Sequence, residues 1–149
     1  MTARALASAR DLGDHRAMRI VRHSSGSTFE ELAGYSRAVV IEHGDHAEVI
    51  VSGCTGFDYS DMSISDDPVV QARQAFVNVE LALAQAGAGM QHLVRMRYTI
   101  TDPAFWPLLA PVFGHHTQIA RPAATCVIAG LVDPRMKVEI EADARIPRG

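Results

Sequence analysis

Apolar and polar residues switch period along this chain, and each switch marks an element. "MRIVRH" (Met18–His23) alternates with period two and predicts a short strand. In "SSGSTFEELAGYS", Ser27 or Thr28 stands as an N-cap ahead of Glu30 and Glu31, which predicts a single helical turn. "RAVVIEHGDHAEVIVSG" sets two apolar runs around His43-Gly44-Asp45-His46, the pattern of a β-hairpin. The polar stretch "CTGFDYSDMSISDD" predicts a loop. The strongest helical signal follows: Val69, Ala72, Ala75, Phe76, Val79, Leu83 and Ala86 share one face, with Asp67 as cap, Pro68 first, and Gly87 and Gly89 ending the run. In "HLVRMRYTITD", Val94, Met96, Tyr98 and Ile100 point one way and Arg95, Arg97, Thr99 and Thr101 the other. Asp102-Pro103 opens a second helix that Pro111 is expected to kink. "RPAATCVIAGLVDPRMKVEIEADA" closes the chain as two strands joined by a tight Asp-Pro turn, with Cys126 and Glu139 facing each other.

Hairpin, helix, strand, helix, hairpin is an α+β pattern: a single sheet with two helices packed on one face. The other face is expected to carry Ala124, Cys126, Ile128 and Gly130 beside Arg95, Arg97, Lys137, Glu139 and Glu141. Water alone does not favour such a mixed surface, so burial against copies of the same chain is expected, as a closed homo-oligomer.

Size and charge narrow the partners. With 149 residues the chain is long enough for one real core, and a net charge of −3 with scattered arginines gives no basic stripe for nucleic acid. No apolar run approaches the roughly 18 residues that span a bilayer, so no membrane association is expected. Two distant cysteines, Cys54 and Cys126, do not form a disulfide framework and favour a reduced, cytoplasmic setting. Residues 1–17 precede the second methionine, Met18, and read as an N-terminal extension to a domain spanning 18–149.

Five segments in order carry a resemblance: "GYSRAV", "VSGCTG", "QARQAFVNVELALAQAGA", "VRMRYTITD" and "PAATCV…KVEIEADA". The chain resembles the Rid (YjgF/YER057c/UK114) family, small proteins best known as enamine/imine deaminases. That resemblance implies a chorismate-mutase-like fold, a homotrimer and ligand clefts between subunits. It further implies that Tyr35, Ser52, Gly53 and Cys126 shape the cleft and that Glu139 positions the catalytic water. The family's arginine, in a Pro-Ala-Arg-Ser/Thr motif, is replaced here: the residues are Pro122-Ala123-Ala124-Thr125. A guanidinium there would hold the carboxylate of a 2-imino acid bidentately, and Ala124 offers neither charge nor donors. Losing such a charged partner costs on the order of several kcal/mol. Standard 2-iminopropanoate deamination is therefore not expected.

The expected function is hydrolysis of a reactive imine or enamine unlike the usual 2-imino acid, with no cofactor and Glu139 as the catalytic group. Arg97 is the candidate for returning a cation to the cleft, against an intersubunit salt bridge with Glu139 or Glu141. The alternative is a non-catalytic small-metabolite-binding or interaction protein on the same scaffold; a ribonuclease role fits the acidic balance worst. Cys54 reads as a structural residue in a turn. No metal site is expected: His115 and His116 are adjacent and point about 100° apart on a helix, and His43 and His46 flank an exposed turn.

Overall fold

Asp67 and Pro68 start the long helix as their order implies. In the computed structural model, which describes residues 18–148, the Asp67 carboxylate accepts from the Val69 and Val70 amides and Pro68 opens α2 (Pro68–Gln85). The expected extension over 1–17 lies outside the described residues. α1 (Thr28–Ala33) is one turn capped by Ser27, and Gly34, at φ 71°, closes it in the left-handed conformation that glycine adopts without strain. α3 (Trp106–Thr117) follows Asp102-Pro103 through a tight turn and carries Pro111 inside it.

Six strands form one sheet: β1 (Arg19–His23), β2 (Ala38–Glu42), β3 (His46–Thr55), β6 (Leu93–Ile100), β7 (Ala123–Ile128) and β8 (Val138–Pro147), in the order β1-β2-β3-β8-β6-β7. The segment expected to be a loop holds a small second pairing, β4 (Phe57–Asp58) with β5 (Ser63–Ile64). β8 occupies the middle because Val138, Ile140, Ala142, Ala144 and Ile146 all bury on one side. They meet Ala47, Val49 and Val51 of β3 and the buried face of α2, including Ala72, Phe76 and Leu83. α3 adds Leu109 and Phe113, the latter stacked on Tyr98 at a centroid distance of 3.9 Å. Both long helices thus cover one face, as expected.

Three details depart from the sequence reading. β7 runs parallel to β6, while β8 lies antiparallel to β6 on its other side. The closing strands are therefore not a hairpin, since β6 separates them. The phase of β7 is also reversed: Ala124, Cys126 and Ile128 lie opposite Met96, Tyr98 and Ile100 on the helix face, and Ala123, Thr125 and Val127 face outward. Cys126 packs against the core and does not face Glu139, whose register partner is the outward Thr99. An edge strand with small residues on both faces has no polar–apolar contrast to fix its phase. Lastly, a register shift between Leu93 and Arg95 buries Leu93 and leaves Val94 exposed.

Candidate functional site

The site begins at a defect in the sheet. Val51 pairs with Ala142 and Cys54 with Ile140, so Ser52 and Gly53 together oppose Glu141. This β-bulge re-aims the strand and brings the Gly53 backbone against Glu139. A Cβ at position 53 would lie 2.6 Å from the Glu139 carboxyl carbon, so only glycine admits that approach. Past the bulge Thr55 pairs with Glu139, and its Oγ1 is buried with no hydrogen-bond partner among the described residues.

Beneath the bulge lies a cation the sequence reading passed over. Arg37 is 1% exposed. Its guanidinium donates to the Gly53 carbonyl at 2.7 Å, to Tyr35 Oη at 3.4 Å and to Glu30 Oε2 at 3.3 and 3.4 Å. It also lies 4.3 Å from the Tyr59 ring centroid, a cation–π distance. Glu30 is held in turn by the Ser25 hydroxyl and by the Ser25 amide at 3.0 Å. Burial pushes the Glu30 carboxyl upward, but the Ser25 hydrogen bonds and Arg37 outweigh it and leave the pKa lowered. The one-turn helix α1 thus delivers a counter-ion that makes a buried arginine affordable.

Two buried amides on α2 hold the surrounding loops. Asn78 donates to the carbonyls of Thr55 and Phe57 at 3.0 and 2.7 Å. Gln71 donates to the carbonyls of Ser65 and Arg135 and accepts from the Lys137 amide. Their backbone partners are scattered along the chain, so no sequence pattern marks them. Arg37 had one weak signal, a lone charge at the head of an apolar strand with Glu30 in the preceding helix.

These elements frame an open cavity of about 710 Å³ lined by Phe29, Leu32, Ala33, Tyr35, Ser52, Gly53, Thr55, Tyr59, Val132, Met136, Glu139 and Glu141. Four expected site residues meet here: Tyr35, Ser52, Gly53 and Glu139. Arg97, Ala124 and Cys126 are not in the lining. Arg97 sits beside the cavity, 3.9 Å from Glu141, in an exposed pair within its own chain.

Glu139 makes no hydrogen bond or ion pair among the described residues. Burial raises its pKa, the charge of Glu141 raises it further, and Arg37 opposes both. Ser52 Oγ donates to the Ser36 carbonyl at 2.6 Å, leaving its lone pairs for the cavity. Cys54 lies in β3, not in a turn; it is fully buried, and burial pushes its thiol up to about 11, which makes it a poor nucleophile. At the β2–β3 turn, ligand atoms of His43, His46 and Glu48 lie within 4.8 Å of one another. The two imidazoles stack in near-parallel planes, and Arg145 donates to Glu48 Oε1 at 2.7 Å.

One six-stranded mixed sheet, helices on a single face and a bulge that sets Glu139 beside an open cavity define a small α+β protein. The model of the endoribonuclease L-PSP family matches residues 26–146. An uncharacterized protein of Streptomyces coelicolor, SCO2049, is 32% identical over 124 residues, 83% of this chain and 90% of that one. Rv2704 of Mycobacterium tuberculosis, a member of the YjgF/YER057c/UK114 family, superposes with a TM-score of 0.74 at 37% identity, covering 86% of this chain and all of that one (100%). RidA from an Antarctic Psychrobacter gives a TM-score of 0.67 at 28% identity over 75% of this chain and 88% of its own. The chain belongs to this endoribonuclease L-PSP family, also called YjgF/YER057c/UK114 or Rid.

Proposed function

We propose that this protein hydrolyses a reactive imine or enamine in the cavity beside the β3 bulge. The observation that carries the reading is Glu139: unpaired among the described residues, partly buried, with a raised pKa, and in close approach to the Gly53 backbone. A carboxyl tuned upward toward neutrality suits general base and then general acid work on one water. In the proposed reaction Glu139 takes a proton from water as its oxygen attacks the C=N carbon. It then returns that proton to the nitrogen of the carbinolamine. Tyr35 Oη accepts from Arg37, so its own proton is free to meet a ligand oxygen. No cofactor takes part in this scheme.

The outward face supports a closed homotrimer as the working form. It presents Ile50 and Val127 with Arg95, Arg97 and Glu141, an apolar–ionic mixture suited to a subunit interface. In that assembly Arg97, on the outward face, lies at the subunit boundary, while Ala124 and Cys126 stay on the helix face. No helix among the described residues is long and apolar enough to cross a membrane; we place the protein in the cytoplasm, where the free thiols Cys54 and Cys126 stay reduced.

The test is ammonia release from imines formed in situ by a flavin-dependent oxidase. Acceleration by the wild type and its loss in Glu139→Gln support the reading. A second reading, binding without catalysis, rests on Ala124 and on a cavity lining that has no cationic side chain among the described residues. It holds if no imine responds while small ligands still bind.

A further inference from the structure

We infer that the cavity selects for charge, taking iminium or protonated enamine substrates with no carboxylate next to the reacting carbon. This deepens the proposed hydrolysis and rests on it for the reaction, but not for the ligand preference.

Two carboxylates, Glu139 and Glu141, line the cavity, and among the described residues no lysine, arginine or histidine does. Three arginines near the cavity are already committed. Arg37 donates to Glu30, Gly53, Tyr35 and the Cys54 sulfur, which leaves no N–H aimed into the cavity. Arg97 faces Glu141 from the adjoining shallow cleft. Arg135 is held by both Asp133 oxygens, at 3.1 and 2.8 Å. Ala124 sits on the helix face of an edge strand, so it adds no charge to this cavity.

A ligand carboxylate would therefore meet the unpaired Glu139, a Glu141 partly offset by Arg97, and no cationic side chain among the described lining residues. A ligand cation would meet the unpaired Glu139 carboxylate in a lining that also holds the aromatic residues Phe29, Tyr35 and Tyr59. The reaction balances without a co-reactant: RCH=NH₂⁺ + H₂O → RCHO + NH₄⁺. Water forms the C–O bond as Glu139 accepts its proton. Glu139 passes that proton to nitrogen, the hydroxyl proton returns to Glu139 as C–N breaks, and the departing ammonia carries it away as ammonium.

A matched pair tests this. Phenethylamine and L-phenylalanine, oxidised in situ by flavin enzymes, give imines that differ only by a carboxylate. The expected result is acceleration of the carboxylate-free imine by roughly tenfold over the 2-imino acid, the scale set by one unit charge a few ångströms away. Glu141→Gln, a change at a partly exposed side chain, is expected to narrow that ratio. An equal or faster 2-imino acid overturns the inference. If neither imine responds, the hydrolysis reading fails on its own, and calorimetry with phenethylammonium and 3-phenylpropionate decides the charge preference. Tighter phenethylammonium binding, weakened by Glu141→Gln, sustains it. Tighter 3-phenylpropionate binding, or binding of neither, overturns it.

Discussion

Two arginine–glutamate pairs adjoin the cavity, and burial makes them different devices. Arg37 and Glu30 lie 3.3 Å apart with side chains 1% and 4% exposed. Arg97 and Glu141 lie 3.9 Å apart at 52% and 43% exposed. The first is dry and its partners are fixed backbone, a hydroxyl and two aromatic rings. The second is wet, so salt and water screen it. The buried pair shapes the site by holding Tyr35 and Gly53 in place, whereas the exposed pair offsets one charge on the rim.

The largest expected effect is on the buried side. Arg37→Ala leaves Glu30 buried without its cation, and urea unfolding is expected to show a loss of about 3–5 kcal/mol. Replacing Arg37 and Glu30 together by methionine is expected to recover most of it. A loss no larger than that of Arg97→Ala would break the comparison.

Gly53→Ala comes next, since its Cβ must displace the Glu139 carboxyl. The expected cost is about 1–3 kcal/mol. A Glu139→Ala background is expected to relieve it, which a double-mutant cycle measures. Additive losses would mean the two residues do not press on each other.

Arg97→Ala is expected to change stability by at most about 1 kcal/mol, less in high salt. A trimer seen in sedimentation for wild type but lost in this variant would move Arg97 from a rim charge to an interface residue.

The finest distinction is one of pH. Glu30 has a lowered pKa, so it contributes stability above the ordinary carboxylate range that fades as pH falls. Glu139 has a raised pKa, so its contribution is present in acid and is lost as pH rises through its folded value. Glu139→Gln is therefore expected to be stabilising near pH 7, with the gain shrinking toward pH 4. A gain independent of pH would show that charge at Glu139 is not the cause.

Part of this cavity's lining was legible in the sequence: the family resemblance pointed to Tyr35, Ser52, Gly53 and Glu139, which line one cavity. Arg37 was not readable, because a charge at the head of a strand is ordinarily solvated, and only the arrival of α1 supplies its counter-ion. Arg97 drew notice for the opposite reason: alternation in β6 exposes it clearly, but exposure is what weakens its pair.

The sequence by itself determined the elements: period two for the strands, the 3.6-residue face of α2, and the Asp67-Pro68 start. These are local properties, set by which side chains repeat toward one surface and which backbone donors need a cap. Strand order, the phase of β7 and the burial of Arg37 were decided by the tertiary structure. Each depends on what lies across the sheet or beneath the bulge, and residues distant in the chain supply that environment only once β8 has entered between β3 and β6.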